Sequence, residues 1–168
     1  MSTRDALSGR VQLQHLAIGS LIQWGDHLSV DHPGIDAQHR AIFDLGAGIY
    51  DHWREGRGID ELRPTVDRLA GLIEAHFAYE ERLLAEVGYA DLARHRAEHH
   101  SLLDDLAAIR ERFARLTGND VSPAGSLLAP GWPVMRFFLE FSVGHVTSSD
   151  LAYRPTLAEI RDYVQGTA

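Results

Sequence analysis

Residues 76–100 read HFAYEERLLAEVGYADLARHRAEHH, with four histidines and five acidic residues in 25 positions. His76 stands four residues before Glu80, and His95 stands four before His99. Each residue of an α-helix advances about 100° around the axis, so groups four apart differ by only about 40°. Each pair therefore shares one helix face. Ile73, Phe77 and Leu84 flank the first pair, while Leu92, Leu102 and Leu103 flank the second. Both faces turn towards a core, where an unpartnered imidazole or carboxylate is costly. Something in the interior has to satisfy them.

Outward from this stretch the pattern is helical almost throughout, with little of the two-residue alternation that marks strands. VDHPGID supplies a turn, and Asp36 is placed to cap a first helix that opens at AQHR and runs to about Trp53, where REGRG ends it. A second starts near IDELRPTVDRL, with Asp60 as its cap and Pro64 in its first turn, and runs to about Val87. Asp91 opens a third that reaches about Leu116. TGNDVSPAGSLLAPGWP is the one long connection, and a fourth helix follows from about Val134 to Tyr153. The tail after Pro155 adds a short helix of its own. The expected fold is all-α: an antiparallel up-down-up-down four-helix bundle with an irregular N-terminal lead-in and a short C-terminal extension.

The totals agree. The 168 residues suit one domain spanning 1–168, with 45% apolar and 24% charged residues as in ordinary globular chains. The formal net charge of −8 argues against a nucleic-acid or anionic-membrane partner. There is no cysteine, which excludes disulfides and thiolate metal ligation. With no signal-peptide pattern and no apolar run near the ~20 residues that span a bilayer, the expected location is cytoplasmic.

Two further places match the histidine pairs. His39 lies near the start of the first helix beside Ile35, Ile42 and Leu45, and His145 lies on the fourth, five residues before Asp150. A five-residue step rotates by about 140° in a regular helix, so this last pair converges only if the helix loosens there. Taken singly, each spacing is commonplace. Taken together, five histidines and two carboxylates, contributed by all four helices, form a set large enough for two metals. Imidazole and carboxylate without thiolate suit iron, manganese or zinc. Ferritin-like di-iron bundles carry Glu-x-x-His on two helices, and that motif occurs nowhere here.

Trp24, GIDAQH, HFAYEE with GY after it, HRAEH and HVTSSDLAY stand in an order that resembles the hemerythrins, most closely a bacterial single-domain hemerythrin, over roughly residues 24–153. The resemblance implies a non-haem di-iron centre. His95, His99 and His145 would bind one iron, and His39 and His76 the other. Glu80 and Asp150 would bridge them together with an oxo or hydroxo group. The second iron would then keep a position open for dioxygen, and the implied role is reversible binding for storage, delivery or sensing, without need of a turnover cycle. Ile42 and Phe77 would line an apolar oxygen pocket. The family usually reads Trp-Leu-x-x-His before its fourth-helix histidine; this chain reads FSVGH, placing Ser142 at the pocket. A hydroxyl there keeps a second function in view, a di-iron redox enzyme acting on peroxide or nitric oxide. A third is a redox or oxygen signalling module working through a partner. His100, His27, His32 and Glu81 are expected outside the metal set, His52 is expected to favour the dipole at the end of the first helix, and His15 has no context.

Overall fold

Four long rods lie side by side, each antiparallel to its neighbour in sequence. The structure is a computed structural model that describes residue 19, residues 21–117 and residues 131–166, with backbone alone beyond residue 159. A short 3₁₀ turn, Asp26–Leu28, precedes α1, Pro33–Glu55. Then come α2, Ile59–Glu86, and α3, Leu92–Arg115. The fourth rod is composite: α4, Trp132–Leu139, a π-helix, Glu140–Asp150, and α5, Leu151–Gly166, follow without a break. His15 and most of the long connection fall outside the described residues, as does most of the lead-in. Among the described residues, no helix is long and apolar enough to cross a membrane.

The expected caps are corrected in detail. His32, and not Asp36, caps α1: its Nδ1 accepts from the Ile35 N–H at 3.3 Å, and Pro33 occupies the first turn. Asp36 lies inside that turn and accepts from the Val30 N–H at 3.0 Å and the Ser29 hydroxyl at 2.7 Å, tying the lead-in to the helix. Gly56, at φ 66°, closes α1 in the left-handed conformation. Gly58, and not Asp60, precedes α2, so Pro64 falls beyond the first turn. Its missing N–H removes the usual i→i−4 donor to the Asp60 carbonyl, at an exposed helix start. Gly88, at φ 68°, ends that helix. The tail forms no separate helix, because Pro155 lies within α5 one turn past the π segment.

His52 also differs from expectation. It is buried, and burial lowers its pKa in spite of the hydrogen bond it makes to the Gly58 carbonyl at 2.9 Å. It therefore acts as a neutral clasp on the α1–α2 turn and brings no charge to the dipole. Arg63 does the complementary work at the end of α3, donating to the Phe113 and Leu116 carbonyls.

Among the described residues, two apolar clusters fill the interior. One holds Ile42, Ile49, Trp53, Leu69, Ile73, Phe77 and Phe138; the other holds Val30, Ile35, Leu84, Tyr153 and Leu157. On α1, His39 lies between Ile35 of one cluster and Ile42 of the other. On α2, His76 and Glu80 lie between Ile73 and Leu84. The polar residues therefore occupy a layer sandwiched between two dry ends.

Candidate metal centre

The layer gathers His39 from α1, His76 and Glu80 from α2, His95 and His99 from α3, and His145 and Asp150 from the π-helix. All seven are buried. Their ligand atoms fall into two groups: Glu80, His95, His99 and His145, and beside them His39, His76 and Asp150. Glu80 Oε2 lies 3.2 Å from His95 Nε2 and 3.1 Å from His99 Nε2, and 3.8 Å from His76 Nε2 in the other group. Asp150 divides its oxygens. Oδ2 lies 3.2 Å from His39 Nε2, while Oδ1 lies 3.1 Å from His145 Nε2 and 3.6 Å from His95 Nε2. Each carboxylate reaches both groups.

The π-helix is what lets His145 and Asp150 meet. Its i→i+5 bonding places more residues in each turn, so residues five apart return to one face. Thr147 and Ser148 donate their hydroxyls to the carbonyls of Val143 and Gly144, drawing those acceptors away from regular α bonding.

Behind the imidazoles stands a second set that the sequence pattern did not single out. His76 Nδ1 donates to Gln38 Oε1 at 3.1 Å and His99 Nδ1 to Glu81 Oε1 at 2.8 Å; His145 Nδ1 lies 3.4 Å from Glu98 Oε2. An acceptor at Nδ1 fixes the tautomer, so the lone pair on Nε2 points inward. Glu81 is held in turn by Arg96 at 3.1 Å, and Glu98 by Arg94 and the Ser149 hydroxyl. Expected outside the metal set, Glu81 pairs with an arginine and also buttresses His99. The signal was present in the sequence: Gln38, Glu81 and Glu98 each adjoin a member of the set, rotated about 100° towards the next helix. Tyr153 was missed as well; its hydroxyl donates to Glu80 Oε1.

The electrostatics suit cations. Burial is the largest influence on His76 and lowers its pKa to about 4, so it is neutral at pH 7. Burial and Asp150 raise the Glu80 carboxyl, but the His95 and His99 imidazoles beside it outweigh them and bring it to about 2. Burial likewise works against Asp150, yet His145 and His39 hold its carboxyl well below the ordinary value. Two ionised carboxylates thus share a dry interior. Both Asp150 oxygens lack a hydrogen bond despite the imidazoles around them. His39 and His76 bring their Nε2 atoms to 3.1 Å, and His99 and His145 bring theirs to 3.0 Å. Converging lone pairs and unpaired anionic oxygens are the donor set that two divalent cations of the iron, manganese or zinc type fit.

Comparison with known proteins bears on which family builds such a layer. Residues 32–157 match the family model of the hemerythrin HHE cation binding domain. This chain belongs to the hemerythrin family. A bacteriohemerythrin of Methylococcus capsulatus is 30% identical over 123 residues, covering 73% of this chain and 86% of the relative. One from Stenotrophomonas maltophilia is 26% identical over 136 residues, covering 80% of each. A myohemerythrin of Theromyzon tessulatum is 25% identical over 135 residues, covering 80% of this chain and 92% of the relative.

Aromatic rings enclose the hemerythrin layer on its larger apolar side. Phe77 stacks on His99 with ring centroids 3.7 Å apart. Phe141 meets His39 and His76 edge-on, each at 6.3 Å, and lies 6.2 Å from His145. It is a wall residue, occupying the position where the family's tryptophan was expected. Trp24 packs on His39 at 5.7 Å. Ile42 and Ser142 are buried with them, and the Ser142 hydroxyl donates to the Leu139 carbonyl at 3.5 Å. His27 and His100 are exposed, outside the layer, and His32 is spent as the α1 cap.

Proposed function

We propose that this chain holds two iron ions and reversibly binds dioxygen at one of them, for storage, delivery or sensing. His95, His99 and His145 hold one ion, His39 and His76 the other, and Glu80 and Asp150 bridge them. The observation that carries this reading is the pair of adjacent buried groups, three histidines beside two, with each carboxylate within reach of both. An iron pair with a bridging oxo or hydroxo group would supply the electrons that make dioxygen binding favourable.

The chain's own residues do the rest. Gln38, Glu81 and Glu98 orient imidazoles so that Nε2 faces inward. Tyr153 anchors Glu80 Oε1 and leaves Oε2 for the centre. Ile42, Phe77 and Phe141 exclude water, which preserves a bound small molecule from proton-driven loss. Ser142 is the polar exception in that wall. Its long bond to Leu139 leaves the hydroxyl able to turn, and this favours the second reading, a redox enzyme acting on peroxide or nitric oxide.

Iron content and visible absorption, with and without air, test the proposal. Reversible binding predicts two irons per chain and a band that fades on deoxygenation and returns in air. Irreversible bleaching coupled to consumption of peroxide or nitric oxide supports the enzyme instead. A partner retained only in one oxygenation state would support a signalling module.

A further inference from the structure

The two halves of the layer differ in what stands behind them. In the three-histidine half, His99 rests on the Glu81 carboxylate at 2.8 Å and His145 faces the Glu98 carboxylate at 3.4 Å. Arg96 fixes the first carboxylate, and Arg94 and Ser149 fix the second. In the two-histidine half, His76 rests on the neutral Gln38 amide; His39 Nδ1, like His95 Nδ1 and His145 Nδ1 in the other half, is buried without a hydrogen-bond partner. A carboxylate behind an imidazole draws its N–H proton outward and makes the opposite nitrogen a stronger donor, and a carbonyl does so more weakly. Ligand number acts in the same direction, three histidines against two.

We infer that the centre fills in a fixed order: a divalent cation enters the three-histidine half first and binds there more tightly, because Glu81 and Glu98 charge that half from behind while Gln38 leaves the other half uncharged. This inference rests on the two-metal reading above. It assigns Glu81, Glu98 and Gln38 as positioning residues that set the relative strength of the two halves. A chain given less than two equivalents of metal would therefore hold one ion in a defined place, and two different divalent metals supplied in turn would occupy defined halves.

Titration of the metal-free full chain with Co²⁺, followed by calorimetry and by the visible spectrum of the bound ion, tests the order. The expected result is two resolved steps, the first at least about tenfold tighter. Glu81→Gln and Glu98→Gln should each weaken the first step by about 10–100-fold while the second moves little, in line with the usual effect of removing an outer-shell partner. Gln38→Glu should strengthen the second step and narrow the gap, a gain that general loosening of the fold cannot produce. Equal affinities in the natural chain, or an unmoved second step in Gln38→Glu, would overturn the order and leave the two-metal reading standing. No Co²⁺ uptake by the natural chain would overturn both.

Discussion

Asp150 Oδ1 lies 3.1 Å from His145 Nε2, although five residues separate them and a regular helix would turn them about 140° apart. The π-helix supplies the missing rotation, with the Thr147 and Ser148 hydroxyls bonded to carbonyls one turn back. Replacing both, Thr147→Ala with Ser148→Ala, removes two side-chain bonds worth about 1 kcal/mol each and favours a return to α spacing. Metal affinity should fall by about tenfold or more while far-UV circular dichroism stays helical. Unchanged affinity would show that the π segment holds without them.

Tyr153 is buried and donates to Glu80, itself ionised in the interior. Tyr153→Phe keeps the ring and leaves one oxygen of a buried carboxylate without its donor. The cost should be about 1.5–3 kcal/mol, the usual range for a bond to a charged group, read by denaturant unfolding of the metal-free chain. A loss below about 0.5 kcal/mol would mean that Glu80 finds another partner.

Gly46 brings α1 against the fourth rod, and a Cβ added there would collide with the Phe138 ring. That ring is fully buried among aromatic neighbours, so it has little room to retreat. Gly46→Ala should destabilise by about 1–3 kcal/mol despite the better helix propensity of alanine. Stabilisation would show that the two rods separate easily.

His52 gives stability a dependence on pH. Burial lowers its pKa in the folded chain, so the unfolded chain takes up the proton more readily. Its contribution is complete above about pH 6.5, the unfolded value, and is lost as pH falls below that. His52→Leu, which leaves the Gly58 carbonyl without its partner, should cost about 1–2 kcal/mol at pH 7. The gap between variant and natural chain should narrow at pH 5. A constant gap would mean that His52 titrates alike in both states.

The helices and the buried pairs His76–Glu80 and His95–His99 were legible because one periodicity carried both: a histidine at a leucine position marks itself. Caps were less legible, since His32 and Asp36 each fit the start of α1, and only the fold decides which one accepts the Ile35 N–H. The π-helix was invisible as a pattern and appeared only as a defect, the awkward spacing of His145 and Asp150. Gln38, Glu81 and Glu98 adjoin members of the set in the sequence, but which histidine each one serves, always on another helix, is decided only by packing. Pro155 misled because a proline so near the change from π to α bonding does not end the rod.

If the buried layer holds two irons and takes up dioxygen reversibly, iron content measured together with the visible spectrum through a cycle of air, deoxygenation and air will show it. The expected result is two irons per chain, a band that disappears and returns, and loss of both iron and band in Glu80→Ala. Fewer than one iron per chain, or full iron and an unaltered band in Glu80→Ala, would contradict it.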